Sequence, residues 1–228
     1  MLFSPVSEAF VLFAVPAVFW HVMLLQYAGG ASPRRMLIVG SVVLIWTVYA
    51  WLAILTEFDR ALVGGFPGVP LLYIGLAAVL GWWFSDVLLG RGVPQQMLIA
   101  LQLFRPLGMV FFYEYLRGTL PGSFAIPAGF GDLLAGLTAA AVLIRYPTGP
   151  VPRRAVLLVA VVGLLDFTSA VFFGFTSSAT PLQLFAFDLP NQVLQWPLGL
   201  IPGFLVPYAV VAHILSLVQL QRDSQLPL

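Results

Sequence analysis

Polar positions along this chain come in clumps and apolar positions in runs, and the runs have the length of membrane-spanning helices. Apolar stretches cover 7–27, 36–56, 70–89, 96–116, 123–144, 155–176 and 198–219. A hydrocarbon core about 30 Å thick takes roughly 20 helical residues to cross, so the pattern predicts seven transmembrane helices. Between them stand AGGASPRR, EFDRALVGGFPGVP, GRGVP, RGTLPG, RYPTGPVPRR and the long SSATPLQLFAFDLPNQVLQWP, all rich in helix-breaking residues. The last has room for a short interfacial helix, with Phe185, Phe187 and Trp196 suited to the headgroup level. A closed barrel is disfavoured, because the runs are about twice the length of a spanning strand and do not alternate. The expected fold is therefore an all-α integral membrane protein.

Arginine placement gives an orientation. Arg34, Arg35, Arg91, Arg145, Arg153, Arg154 and Arg222 fall in the first, third, fifth and C-terminal breaks. The intervening breaks hold only Arg60 and Arg117, alongside Glu57, Asp59 and Asp188. The excess of positive charge marks the cytoplasmic side, which puts the N-terminus outside and the C-terminus in the cytoplasm. Met1 to Ser7 has no basic region and Glu8 follows, so the first run reads as a retained span rather than a cleaved leader.

The pattern also repeats. FAVPAVFWH at 13–21 returns as FAIPAGFGD at 124–132, in the first and fifth spans, which run in the same direction. Each copy is followed by a loop ending in the same tripeptide, Pro33-Arg34-Arg35 and Pro152-Arg153-Arg154, and then by an uninterrupted apolar span. Aligning the third and seventh spans from Pro70 and Pro197 sets Asp86 opposite His213 in register. The expectation is a single transmembrane domain with a three-plus-one-plus-three plan: a unit over 1–92, an inverting helix over 93–117, and a second unit over 118–228, parallel to the first. Pro16 and Pro127 take equivalent places and would bend equivalent helices.

Composition narrows the chemistry. The 228 residues are 61% hydrophobic and 8% charged, and all ten basic residues are arginine. Without lysine there is no Schiff base to retinal or pyridoxal phosphate. Without cysteine there are no disulfides, thiolate metal sites, covalently attached haem or cysteine nucleophiles. A net charge of +1, with arginines scattered singly or in pairs, does not suit nucleic acid. The partners left are membrane lipid, a small-molecule or ion substrate, and a second copy or a larger membrane complex.

Ionisable groups inside the runs stand out, since each costs about 2.5–3.5 kcal/mol to insert unpaired. Arg105 lies mid-way along the fourth span and Asp166 mid-way along the sixth, depths that suit an ion pair, with Asp132 as the competing partner. Gln102 shares the helix face of Arg105. Under the repeat His21 corresponds to Asp132 and Asp86 to His213, so each unit contributes one histidine and one carboxylate, a pairing able to carry a proton or fix an imidazole tautomer. Arg105, Asp132, Asp166, His21, Asp86, His213 and Gln102 are thus the candidate substrate- or ion-binding residues. Glu8 and Glu114, near the outer boundary, read as rim, and Trp82-Trp83-Phe84 and Phe111-Phe112-Tyr113 as interfacial belts and lipid contacts.

Three functions remain open at this point. The first is a small-solute or proton-coupled carrier with its site between the two units and no cofactor. The second is a b-type haem protein with His21 and His213, which reach similar depth, as axial ligands to the metal. The third is a non-catalytic subunit or scaffold. Enzymology has the weakest support: there is no HExxH, no GxSxG with a partnered histidine, and Ser85-Asp86 is only a dipeptide.

Three stretches carry a resemblance: LPGSFAIPAGFGDLLAG, GLLDFTSAVFFG and LIPGFLVPYAVVAHILSLVQL. Over roughly its C-terminal half the chain resembles an uncharacterised family of small polytopic bacterial membrane proteins. The family's recurring positions correspond to Arg105, Pro127, Asp132, Asp166, Pro202, Pro207 and His213, and the resemblance implies location in the bacterial cell (inner) membrane. The topology is similar to that of the SWEET and PQ-loop transporters. However, Pro94-Gln95 falls at the head of the inverting helix, where that family does not use its PQ pair, and Asn191 is the only asparagine, so the asparagines of a sugar site are missing.

Overall fold

Helix breakers and caps divide the chain where the apolar runs end. The computed structural model describes residues 2–56, 69–90 and 92–225; Glu57, Asp59, Arg60 and Arg91, used above for orientation, lie outside them. All regular structure among the described residues is helical. Helix α1 spans Pro5–Ala28: Ser4 caps it by accepting from the Ser7 N–H at 3.1 Å and Pro5 takes the first turn, where a missing N–H costs nothing. It closes at Gly29-Gly30, with Ala31 N–H returned to the Gln26 carbonyl at 3.0 Å. Helix α2 spans Pro33–Thr56.

The third run forms α3, Val69–Trp83, which turns at Phe84 into the short α4, Ser85–Leu89. The fourth is not one helix. It comprises α5, Gln95–Ala100, four residues of turn, a 3-10 turn over Arg105–Met109, and α6, Val110–Leu116. Pro106 is the cause: without an N–H it cannot join the α ladder, and its ring crowds the carbonyl four residues back. The chain answers with tighter bonds, among them Arg105 N–H to the Gln102 carbonyl at 3.2 Å and Leu107 N–H to the Phe104 carbonyl at 2.9 Å.

Helices α7, Gly122–Arg145, and α8, Arg153–Thr176, follow as an antiparallel pair with the most extensive helix–helix contact in the described structure. Their buried positions are small: Ala125, Ala128, Gly129, Ala135, Gly136 and Ala139 on one, Ala155, Ala160 and Gly163 on the other, with Gly129 and Gly136 turned to the broken span and Gly163 to His213. Small side chains let backbones approach, which is the main source of helix attraction where lipid offers no hydrophobic contrast. The segment 177–200 contains no interfacial helix; it runs in turns, with Asn191 bonded to the Gly174 carbonyl and the Val193 N–H. The last span opens with a wide π-type turn, Ile201–Leu205, at Pro202, and continues as α9, Val206–Gln225. Helix α9 is central, packed by α3, α5 and α8.

Among the described residues six helical stretches are long and apolar enough to cross a membrane, and α3 is a shorter apolar helix. The outer surface carries Phe13, Trp20, Leu37, Ile45, Trp83, Ile144 and Leu165 exposed, a surface no soluble monomer tolerates at this density and acyl chains cover. Polar groups are turned inward instead: Ser7, Gln26, Gln95, Gln102, Arg105, Glu114, Asp166, His213, Ser216 and Gln219 are all buried. This partition is that of an integral membrane protein.

Helix α1 packs Val11, Ala14, Val15 and Val18, and α2 packs Ala50, into the apolar core with Phe111, Phe124 and Phe204, and polar contacts fasten the pair near the helix ends. Glu114, expected on the rim, is wholly buried: it accepts from the Ser4 N–H at 3.0 Å, pairs with Ser7 Oγ, and takes Arg117 and Thr119 as well. The reason is the start of α1, where the Ser4 N–H ahead of the helix and the Ser7 hydroxyl need an acceptor in an apolar surround. Trp196 of the 177–200 segment donates to Glu8 at 3.2 Å and stacks on Trp51 of α2 with ring centroids 5.6 Å apart. At the opposite end Gln26 donates to the Leu88 carbonyl at 3.0 Å.

Candidate functional site

The interruption at Pro106 places Arg105 at mid-span, facing α7 and α8. Its side chain is 1% exposed. Nε donates to Asp132 Oδ1 at 2.8 Å, Nη1 to the Gly163 carbonyl at 3.4 Å, and Nη2 is ion-paired with Asp166 Oδ2. The guanidinium is thus shared by both carboxylates rather than won by one. The Phe167 ring lies 3.9 Å from Arg105 Cζ, a cation–π contact that covers the face of the fork, and its edge meets His213 with centroids 6.0 Å apart.

Each partner is placed by a feature of local sequence. Asp132 occupies a step of the small-residue stripe of α7, and Asp166 the corresponding place on α8, three residues after Gly163. Glycine supplies the room: a Cβ at Gly131 would collide with Asp166, one at Gly108 with Asp132, and one at Gly163 with His213 Nε2. Pro106 itself sits against Gly136, where any side chain would meet its ring. Gln102 reaches across to the Ala209 carbonyl of α9 at 3.2 Å.

Bonding around Arg105 is incomplete. Asp166 Oδ1, His213 Nε2, Gln102 Oε1 and the Tyr208 hydroxyl are buried without a hydrogen-bond partner. Burying unpaired polar atoms in an apolar medium is costly, and Asp166 Oδ1 within the ion cluster, with His213 Nε2 beside Arg105 across Gly163, marks a place built for something other than packing.

Two pockets touch the cluster. The larger, about 90 Å³, is lined by Asp132 and Asp166 at one end and by Pro70, Ser178, Val193 and Leu194 at the other; its walls are apolar, with Phe111, Phe167 and Ile201 among them. Phe111 is therefore an interior residue, packed on Phe124 with centroids 5.2 Å apart, and not a lipid contact. The smaller, about 20 Å³, brings Phe10, Val11 and Ala14 of α1 to the Arg105–Asp132 side. Beyond the cluster, toward Gly29, Val93 and Arg145, the helices close on two apolar layers, one around Leu25, Leu89, Leu98 and Leu215 and one around Ile99, Ala139, Val142 and Val156.

Arg105, Asp132, Asp166, Gln102 and His213 are thus brought together. Asp86 and His21 are not. Asp86 is 92% exposed and paired with Arg222, near the far end of α9 from the pocket mouth, about 13 Å along the helix from His213. The register that set Asp86 opposite His213 aligns spans by their prolines and ignores the break at Phe84, which lets Asp86 turn out to meet an arginine. His21, half-buried on α1, neither touches the cluster nor lines either pocket. Among the described residues no group of three or more histidine, aspartate and glutamate side chains is arranged to hold a metal ion. Tyr208, beside Phe104 at 5.9 Å between centroids, is a further buried hydroxyl without a hydrogen-bond partner; its sequence signal is only its spacing, five residues before His213.

Residues 66–221 match the family described as Domain of unknown function (DUF8737), which covers the whole cluster, and the chain belongs to that family. No curated protein and no solved structure matches it significantly.

Proposed function

We propose that this DUF8737 member is a small-solute or proton-coupled carrier of the cell (inner) membrane, with its site at Arg105, Asp132 and Asp166. One observation carries the reading: an ion cluster with an unsatisfied carboxylate oxygen sits at mid-span, beside a broken helix, in the lining of a pocket of about 90 Å³. Charges at this depth are costly, and non-helical backbone at membrane depth is stable only where it is buried in protein or lines a cavity. Discontinuous helices at the midplane are a recurring way to build a carrier's site.

In this reading α3 and α4 together make the seventh span, the units over 1–92 and 118–228 flank the inverting segment, and the mouth at Ser178 and Val193 faces outward. Apolar walls and a floor with excess acceptors favour a small neutral or cationic solute over an anion. The test is reconstitution of the purified protein in liposomes and uptake of a panel of small labelled solutes, with and without a pH gradient. Uptake by the unaltered protein and its loss in D132N supports the reading. No uptake with any solute, together with a Soret band or a stable co-purifying subunit, would favour a haem protein or a scaffold instead.

A further inference from the structure

We propose that Asp166 is a proton-binding group, loaded from the pocket at its Oδ1, while Asp132 stays ionised against Arg105. The inference deepens the carrier reading and rests on it for its purpose. The charges come first: one guanidinium meets two carboxylates, and the cluster's net charge is −1 when both are ionised. An uncompensated charge in a low-dielectric interior is removed by taking up a proton.

Geometry chooses the carboxyl. Asp132 accepts the Nε–H at 2.8 Å and keeps 16% of its side chain exposed, whereas Asp166 is 5% exposed and its Oδ1 receives no donor at all. A bare, dry carboxylate oxygen is the costliest atom of the set, and a proton there removes that cost. Asp166, like Asp132, lines the larger pocket, through which a proton would reach it.

The other groups around Asp166 agree. Arg105 comes from the broken span, Asp132 from α7, and His213 of α9 lies beside Arg105 across Gly163; the α3 residues at the pocket, Pro70, Leu71 and Ile74, carry no charge. His213 is the rival site, but its Nε2 and Arg105 Nη1 both press on Gly163, so a proton there would set two cations side by side. His213 also lines neither pocket. Protonation of Asp166 weakens the link from Nη2 to α8 and leaves the Nε link to α7, so occupancy is felt as a loosening between two specific helices.

Infrared difference spectroscopy of the full-length protein in lipid nanodiscs, stepped from alkaline to acid, reads the proton directly as the carbonyl stretch of a buried carboxylic acid. The band is expected in the unaltered protein, shifted in D2O, lost in D166N and retained in D132N. Should D166N fail to fold, D166E decides, since the band must then change frequency. A band that survives D166N, that disappears in D132N, that does not move in D166E, or that is absent from the unaltered protein overturns the proposal. Liposome uptake separates this from the carrier reading: a band without uptake of any solute removes the carrier and leaves the proton site, and pH-independent uptake without a band does the reverse.

Discussion

Helices α1 and α2 and helices α7 and α8 are all 24 residues long and similarly apolar, yet they are fastened in opposite ways. The first two are held in their middles by apolar packing alone, through Val11, Ala14, Val15, Val18 and Ala50, and take their polar contacts near the ends, from Glu114, Trp196 and Gln26. The second two are joined in the middle, by small-residue contact and by one arginine gripping a carboxylate on each. The family match begins at residue 66 and so takes in α7 and α8 but leaves α1 and α2 out. Apolar length alone predicts that a helix enters the membrane; the depth at which polar groups are placed decides whether it becomes a fixed wall or a hinged one.

The comparison breaks most visibly at Arg105. R105M leaves two carboxylates buried without a partner and should destabilise the protein by about 3–5 kcal/mol, read as a drop in the unfolding midpoint in detergent. The triple variant R105M/D132N/D166N should recover much of that loss, because no net charge remains buried. If R105M unfolds like the unaltered protein, the cluster does not hold α7 to α8. Next comes G163V, whose side chain would press into His213 and Arg105; an overpacked site of this kind costs about 1–3 kcal/mol.

At the fastened end of α1, S7A removes one bond to Glu114 and one to Ser4 and should cost about 1 kcal/mol. Faster hydrogen exchange over the first turns of α1, with α7 and α8 unchanged, would show that the two regions open independently. Smallest of all, I45A on the outer face of α2, where Ile45 is 67% exposed, should stay within about 0.5 kcal/mol. A larger loss there would mean that α2 packs against protein rather than lipid.

Much of this was legible in the order of residues. Span positions follow from the length of apolar runs, because the bilayer imposes its thickness on every one of them. Asp132 and Asp166 are legible too: each interrupts a stripe of alanine and glycine, and a charge in such a stripe has to face the neighbouring helix. The break in the fourth span has a signal in Arg105-Pro106, but proline alone does not distinguish a bend, as Pro16 and Pro127 are tolerated within unbroken helices, from a full interruption. Asp86 was misleading because similarity of register says nothing about rotation after Phe84. Glu114 was misread because the acceptor demand of α1 arises 110 residues away, beyond any local pattern.

The indole of Trp196 belongs to the segment whose Val193 and Leu194 line the mouth of the larger pocket, and it is held by α1 and α2 together. The N-terminal pair therefore has a grip on the roof of the chamber without contributing a charge to its floor.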